Sequence, residues 1–255
     1  MKIKLNKLLN SGKTLLLAYD QGLEHGPTDF NDTNVDPRYI LDIALKGKYN
    51  GIILQKGTAE KYYKEKYYEI PLIVKLNGKT RLVKDDPIAL QLCSVKEAIK
   101  LGAYAVGYTI YIGSYYEKEM LREFGKIEEE AHASGLPVIG WMYPRGKAIK
   151  NELSRDILAY AARVGLELGA DIVKIKYNGN KDDLKWIVKS AGKTKVVIAG
   201  GIKKEEKKLL NDVKDIIKAG AIGLAIGRNI WQHPRPLEIT KKIKNIIWRK
   251  TNKNG

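Results

Sequence analysis

The sequence predicts an α/β fold, a single (β/α)8 TIM barrel over residues 1–255. Three observations predict it. Eight short, near-continuously apolar runs alternate with amphipathic helical stretches, and such runs mark parallel strands covered on both faces. No Pro/Gly/Ser linker or low-complexity segment divides the chain, and 255 residues is a common length for such a barrel. Three helical stretches end alike, in Leu101-Gly102-Ala103, Leu168-Gly169-Ala170 and Ala219-Gly220-Ala221. A glycine just past a helix turns through the left-handed region without steric penalty, and a buried strand follows each time. Eight such units close most simply into a barrel. A doubly wound open sheet is the alternative, and the absence of GxGxxG after the first strand weakens it.

Taken in order, strand one is expected at Leu15–Asp20, ahead of a helix at Pro37–Lys46. Strand two at Gly51–Lys56 precedes a helix at Thr58–Tyr67, and strand three at Ile70–Leu76 precedes one at Ser94–Leu101. There Ser94 and Glu97 form a capping box ahead of Val95, Ala98 and Ile99. Strand four spans Tyr104–Tyr111 with its helix at Tyr115–Ser134, and strand five Pro137–Tyr143 with Leu153–Leu168. Strand six, Asp171–Tyr177, leads to Asp182–Ala191, and strand seven, Lys195–Gly200, to Lys204–Ala219. Strand eight, Ile222–Gly227, leads to Pro236–Arg249.

Composition narrows the function. The longest apolar runs are too short to span a bilayer, and the basic N-terminus lacks the apolar core and cleavage site of a signal peptide. The lone cysteine, Cys93, cannot form an internal disulfide, which fits a cytoplasmic protein. Three histidines and one cysteine are too scattered for a zinc cluster, so no metal site and no cofactor is expected. The formal net charge of +17 has two readings. One is nucleic-acid binding. The other, favoured because lysines are spread through nearly every helix, is a solvated surface whose field draws in anionic small molecules.

Barrel active sites lie at the C-terminal ends of strands. Those ends here are polar and glycine-rich: Asp20 on strand one, Gln55 and Lys56 on two, Lys75, Asn77 and Lys79 after three. Strand five ends in Trp141 and Tyr143, six in Lys174 and Lys176, seven in Gly200-Gly201 and eight in Gly227-Arg228. Alternation puts Ile172, Lys174 and Lys176 on one face of strand six. A lysine attacks carbonyls only as the free amine, so its ordinary pKa of ~10.4 must be lowered by burial or a nearby cation. Either Lys174 does so, with Lys176 as the cation, or both hold phosphate or pair with an acid such as Asp20. Tyr143 beside a lysine would have its phenol pKa lowered, suiting proton transfer; alternatively Tyr143 and Trp141 are core aromatics. Asp20 is a general base or a turn aspartate. His25 either contacts substrate or is exposed. The two glycine groups with Arg228 form the clearest anion site, since glycine lets backbone amides approach phosphate closely.

These residues carry a resemblance. The motifs LLLAYDQGLEHGP (15–27), AEKYY (59–63), KLNGKT (75–80), GYTIY (107–111), GWMYPRG (140–146), GADIVKIKY (169–177) and AIGRNIWQ (225–232) cover almost the whole chain. Together they resemble the archaeal-type class I fructose-bisphosphate aldolases of the DhnA-like family. The resemblance implies a metal-independent barrel aldolase that forms a Schiff base on Lys174, the lysine after the apolar ADIV run. It implies Tyr143 as proton shuttle, Trp141 as its neighbour, Asp20 as the strand-one acid, and Gly200, Gly201, Gly227 and Arg228 as phosphate ligands. Two departures stand out: Gln21 where many members have histidine, and a short loop after Gly201. The expected function is reversible cleavage of fructose 1,6-bisphosphate to dihydroxyacetone phosphate and glyceraldehyde 3-phosphate. Lys56 or Lys79 is expected at the distal phosphate, and Lys176 as the cation that keeps Lys174 neutral. A related transaldol enzyme of the 2-amino-3,7-dideoxy-heptulosonate synthase type is the alternative within the family. Expected partners are a phosphorylated sugar and further copies of the chain, with no nucleic acid and no membrane.

Overall fold

Each of the eight apolar runs forms a strand. The strands are β1 (Thr14–Tyr19), β2 (Gly51–Gln55), β3 (Leu72–Lys75), β4 (Ala103–Ile112), β5 (Val138–Pro144), β6 (Ile172–Ile175), β7 (Lys195–Ala199) and β8 (Gly223–Ile226). They pair in sequence order, all parallel, and β8 pairs back onto β1 to close the barrel. The computed structural model describes Ile3 and residues 5–249. No helix among the described residues is long and apolar enough to cross a membrane.

The helices are α1 (Gly22–His25), α2 (Pro37–Lys46), α3 (Lys56–Tyr62), α4 (Val95–Lys100), α5 (Glu117–Ala133), α6 (Arg155–Glu167), α7 (Lys181–Ser190), α8 (Glu206–Lys218), α9 (Arg228–Trp231) and α10 (Pro236–Ile247). The expected stop signals operate. Gly102, Gly169 and Gly220 take φ of 83°, 83° and 97°, where any other residue would be strained. Ser94 Oγ accepts the Glu97 amide at 3.1 Å, capping α4.

Two apolar layers result from strand alternation. Leu15, Leu17 and Tyr19 of β1 point out beneath the helices, whereas Leu16 and Ala18 point into the barrel with Ile53, Ile73, Ala105, Ile172 and Ala225. Lys174 follows Ile172 on the inner face of β6, so this cation faces the barrel axis.

Some boundaries depart from expectation. The helix expected at Thr58–Tyr67 runs only from Lys56 to Tyr62, and a 3-10 turn at Glu65–Glu69 follows. The Tyr63 hydroxyl donates to the Ile70 carbonyl and pins that reversal, so β3 starts at Leu72. Strand six ends at Ile175, leaving Lys176 and Tyr177 just beyond it. Helices α1 and α9 and the 3-10 turn Gly26–Asp29 were not expected. Four residues are too few to register a helical repeat.

Candidate active site

The C-terminal ends of the strands surround a cavity of about 530 Å³. Its inner wall is buried, with Ala18, Lys75, Trp141, Lys174 and Ala225 all contributing. Lys174 is 6% exposed, and its Nζ stands 4.9 Å from the centroid of the Trp141 ring. Burial lowers its pKa below the ordinary lysine value, while Asp20 and Glu24 pull it back up. The indole itself is 2% exposed and its Nε1 is buried without a partner. Room for that ring comes from Gly107 on β4, where a Cβ would lie 2.2 Å from it.

A second lysine approaches the same indole from β3. Lys75, at the end of β3, is also 6% exposed, with its Nζ 5.2 Å from the same ring centroid. Burial, together with repulsion from Lys174, brings its pKa down to about 8, against the attraction of Asp20. Sequence reasoning placed Lys75 at a strand end and gave it no role.

Two expected electrostatic couplings are corrected. Burial raises the Tyr143 phenol well above its ordinary pKa, and the carboxylates of Asp20 and Glu24 add to the rise, so it is held protonated instead of acidified. Lys176 does stand 5.8 Å from the Tyr143 ring centroid, but its ammonium is held by Glu152 at 2.5 Å. The charged groups acting on Lys174 are Asp20 and Glu24, and the lysine sharing its indole is Lys75, not Lys176.

The wall formed by the ends of β7 and β8 is built from glycine turns. Gly200, Gly201 and Gly227 all border the cavity, and α9 starts at Arg228 directly after Gly227. Its first amides have no helical acceptors. A Cβ on Gly227 would lie 2.5 Å from the Ala18 carbonyl, so the close turn requires glycine. Gly200 is fixed by Asn229 Nδ2, which donates to its carbonyl at 2.9 Å. Arg228 reaches Asp29 at 3.4 Å, and His25 hydrogen-bonds the same carboxylate through Nδ1. His25 thus belongs to the cavity lining and is not a free surface residue.

Lys56 does not reach the cavity. Strand β2 ends at Gln55 and helix α3 starts at once, which rotates Lys56 outward. Its Nζ pairs with Glu97 at 3.1 Å on a side chain that is 44% exposed. Gln55 lines the cavity instead. Lys79 does line it, as do Arg81 and Arg145, which the sequence reading did not single out. Both arginines converge on Glu24, Arg145 at 2.8 Å and Arg81 at 3.9 Å. The signal for this cluster was present in the strand-end motifs EHGP and YPRG, whose charges face each other only after the barrel closes. Besides Trp141 Nε1, the buried, unpartnered Gln21 Nε2 and Tyr177 hydroxyl belong to cavity-lining residues. Unsatisfied polar atoms gathered at one cavity mark a place that a polar ligand completes.

Comparison with known proteins agrees with this geometry. The model of the DeoC/LacD family aldolases matches residues 14–233. A Thermoproteus tenax protein named fructose-bisphosphate aldolase class 1 is 47% identical over 240 residues, 93% of this chain and 90% of the relative. A Halobacterium salinarum protein of the same name is 43% identical over 243 residues, 94% of this chain and 92% of the relative. Among solved structures, an archaeal fructose-1,6-bisphosphate aldolase with its catalytic lysine covalently bound to the carbinolamine intermediate superposes with a TM-score of 0.92 at 45% identity. That match covers 95% of this chain and 97% of the other.

Proposed function

The chain belongs to the DeoC/LacD family of aldolases, and from that premise we propose that it is a class I, Schiff-base-forming fructose-bisphosphate aldolase. It reversibly cleaves fructose 1,6-bisphosphate to dihydroxyacetone phosphate and glyceraldehyde 3-phosphate. The observation that carries this reading is Lys174, a buried amine on the inner face of a barrel strand, in a cavity lined also by Gly200, Gly201, Gly227 and Arg228. Burial works against its charge, which is what a nucleophilic amine needs.

In this mechanism the Lys174 amine attacks the C2 ketone. The carbinolamine loses water to give an iminium, which draws in the electrons of the C3–C4 bond as the C4 hydroxyl loses its proton. Glyceraldehyde 3-phosphate leaves, the enamine is protonated at C3, and hydrolysis returns the amine. Tyr143, held protonated, donates its hydroxyl hydrogen, and it takes the C4 proton only as it passes its own on. Of the two carboxylates acting on both Lys174 and Tyr143, Asp20 has the larger effect, Glu24 being tied to Arg145, and Asp20 serves as acceptor in these transfers. Trp141 Nε1 has no partner of its own and donates to a substrate oxygen. The C1 phosphate sits against Gly200, Gly201, Gly227 and Arg228, with His25 steadying Asp29 behind the arginine. At the rim, Arg145, Arg81 and Lys79 meet the distal phosphate.

The same reading makes the chain one barrel domain that works in the cytoplasm as a homo-oligomer, in glycolysis and gluconeogenesis; light scattering on the purified protein reports the oligomer. An aldol-cleavage assay with coupled detection of both triose phosphates tests the activity. Turnover of the bisphosphate is expected, and its absence under saturating substrate would refute the assignment.

A further inference from the structure

The loop between β7 and α8 supplies Gly200 and Gly201 to the cavity, yet little of its own holds it in place. Ile202 in this loop is 68% exposed, so its side chain is no anchor. Among the described residues, no backbone-to-backbone hydrogen bond involves Gly201, Ile202, Lys203 or Lys204. One side chain from another element holds the loop instead. Asn229, in the first turn of α9, is 2% exposed. Its Nδ2 donates to the carbonyls of Gly200 and Ile202, each at 2.9 Å. Its Oδ1 accepts the Lys204 amide at 2.8 Å. Both donors and the acceptor of this amide therefore go to one loop.

We propose, resting on the phosphate site assigned above, that Asn229 is a positioning residue for the C1 phosphate: it orients the Gly200–Gly201 peptide so that the Gly201 N–H faces the substrate. In a trans peptide the carbonyl and the following N–H point in opposite directions. No cis peptide occurs among the described residues. Drawing the Gly200 oxygen onto Asn229 therefore turns the Gly201 N–H away from Asn229. Gly200 and Gly201 line the cavity, whereas Asn229 is buried behind that lining, so the N–H is aimed at the cavity. Among the described residues it has no acceptor. Gly201 takes a φ of 68°, the left-handed turn that lets the chain bend away directly afterwards. The further holds on Ile202 and Lys204 keep the peptide from rotating back. Arg228 precedes Asn229 in α9, so one short helix places a guanidinium on the cavity and fixes an amide of the neighbouring strand end. Without Asn229 the phosphate itself would have to order the loop, at an entropic cost to binding. Lys174 stands on β6 and makes no contact through this loop, so the loss falls on phosphate recognition and spares the amine.

The test compares trapping of Lys174 by dihydroxyacetone phosphate and by dihydroxyacetone, each with cyanoborohydride, read as second-order rates by peptide mass spectrometry. The two ketones differ only in the phosphate. Wild type is expected to prefer the phosphate ester. Asn229→Ala is expected to reduce that preference about tenfold or more, the effect of one charge-assisted hydrogen bond. Asn229→Leu keeps a similar side-chain shape without the hydrogen bonds and is expected to reduce the preference likewise; it decides the matter should Asn229→Ala fail to fold. A residue that only holds the fold together would slow both ketones alike. Equal slowing of both, or an unchanged preference in a folded variant, would overturn the proposal. Equal trapping of the two ketones by wild type would instead remove the phosphate-site reading, and the role of Asn229 with it.

Discussion

Replacing Gly107 by alanine is the sharpest structural perturbation of this site. The added Cβ would lie 2.2 Å from Cζ3 and 2.3 Å from Cη2 of Trp141. Ordinary contacts of this kind are about 3.5–4 Å, so the ring must move by more than about 1 Å or β4 must bend away. The indole cannot retreat freely, because it is 2% exposed and packed among the inner-layer residues of the barrel. Overpacking of this sort costs about 1–3 kcal/mol of stability. The catalytic cost is larger, because Lys174 and Lys75 both rest on that ring. A misplacement of about 1 Å at reacting groups costs on the order of 10²-fold in rate. Coupled cleavage assays and thermal melts on Gly107→Ala should therefore show kcat reduced about a hundredfold in a protein that still folds, with tryptophan fluorescence altered. An unchanged kcat together with an unchanged Tm would refute the claim that Trp141 sets the geometry of the lysine pair.

Further outcomes follow from the same geometry. Tyr143→Phe removes the hydroxyl and should lower kcat by roughly 10²–10⁴-fold with little change in KM, as measured by steady-state cleavage. Arg228→Ala deletes a cation beside the glycine wall and should raise KM about tenfold or more through the loss of one charge-assisted hydrogen bond. The Glu24 carboxyl is buried, which raises its pKa, but Arg145, His25 and Arg81 outweigh burial and hold it below the ordinary 4.5. A lowered folded value supplies stability that is present above the unfolded value and is lost as pH falls through the folded one. Thermal melts should therefore show Tm dropping as pH falls below about 4.5, with Glu24→Gln flattening that part of the curve. Cleavage should persist in EDTA; activity lost to the chelator and restored by zinc would contradict a lysine-based route.

The barrel was legible because its signals are local and repeated. Buried parallel strands are continuous apolar runs, and the three helix-ending glycines announce each return to the sheet. Strand periodicity put Lys174 on the face of Ile172, and the strand-end rule gathered Lys174, Trp141, Tyr143, Asp20 and the glycine turns around one cavity. That rule fails where a helix begins at once. Lys56 follows Gln55 without a linker and is carried outward, although as a strand-end lysine it looked as eligible as Lys79. Long-range pairing was out of reach. Lys176 and Glu152, or Glu24 and Arg145, meet only through the closed barrel, so the charge state of each group could not be read from its neighbours in the chain. Tyr143 shows the same limit: a lysine at the end of the neighbouring strand suggested an acidified phenol, while burial and two carboxylates set the opposite direction. Lys75 was visible as a strand-end lysine, and only the shared indole reveals its relation to Lys174.

The central claim is that Lys174 is the Schiff-base nucleophile. Incubation with dihydroxyacetone phosphate and borohydride, followed by digestion and mass mapping, tests it directly. The account predicts one reduced adduct, on Lys174, with loss of activity in step with labelling. An adduct on Lys75 or Lys176, or inactivation without any covalent label, would contradict it.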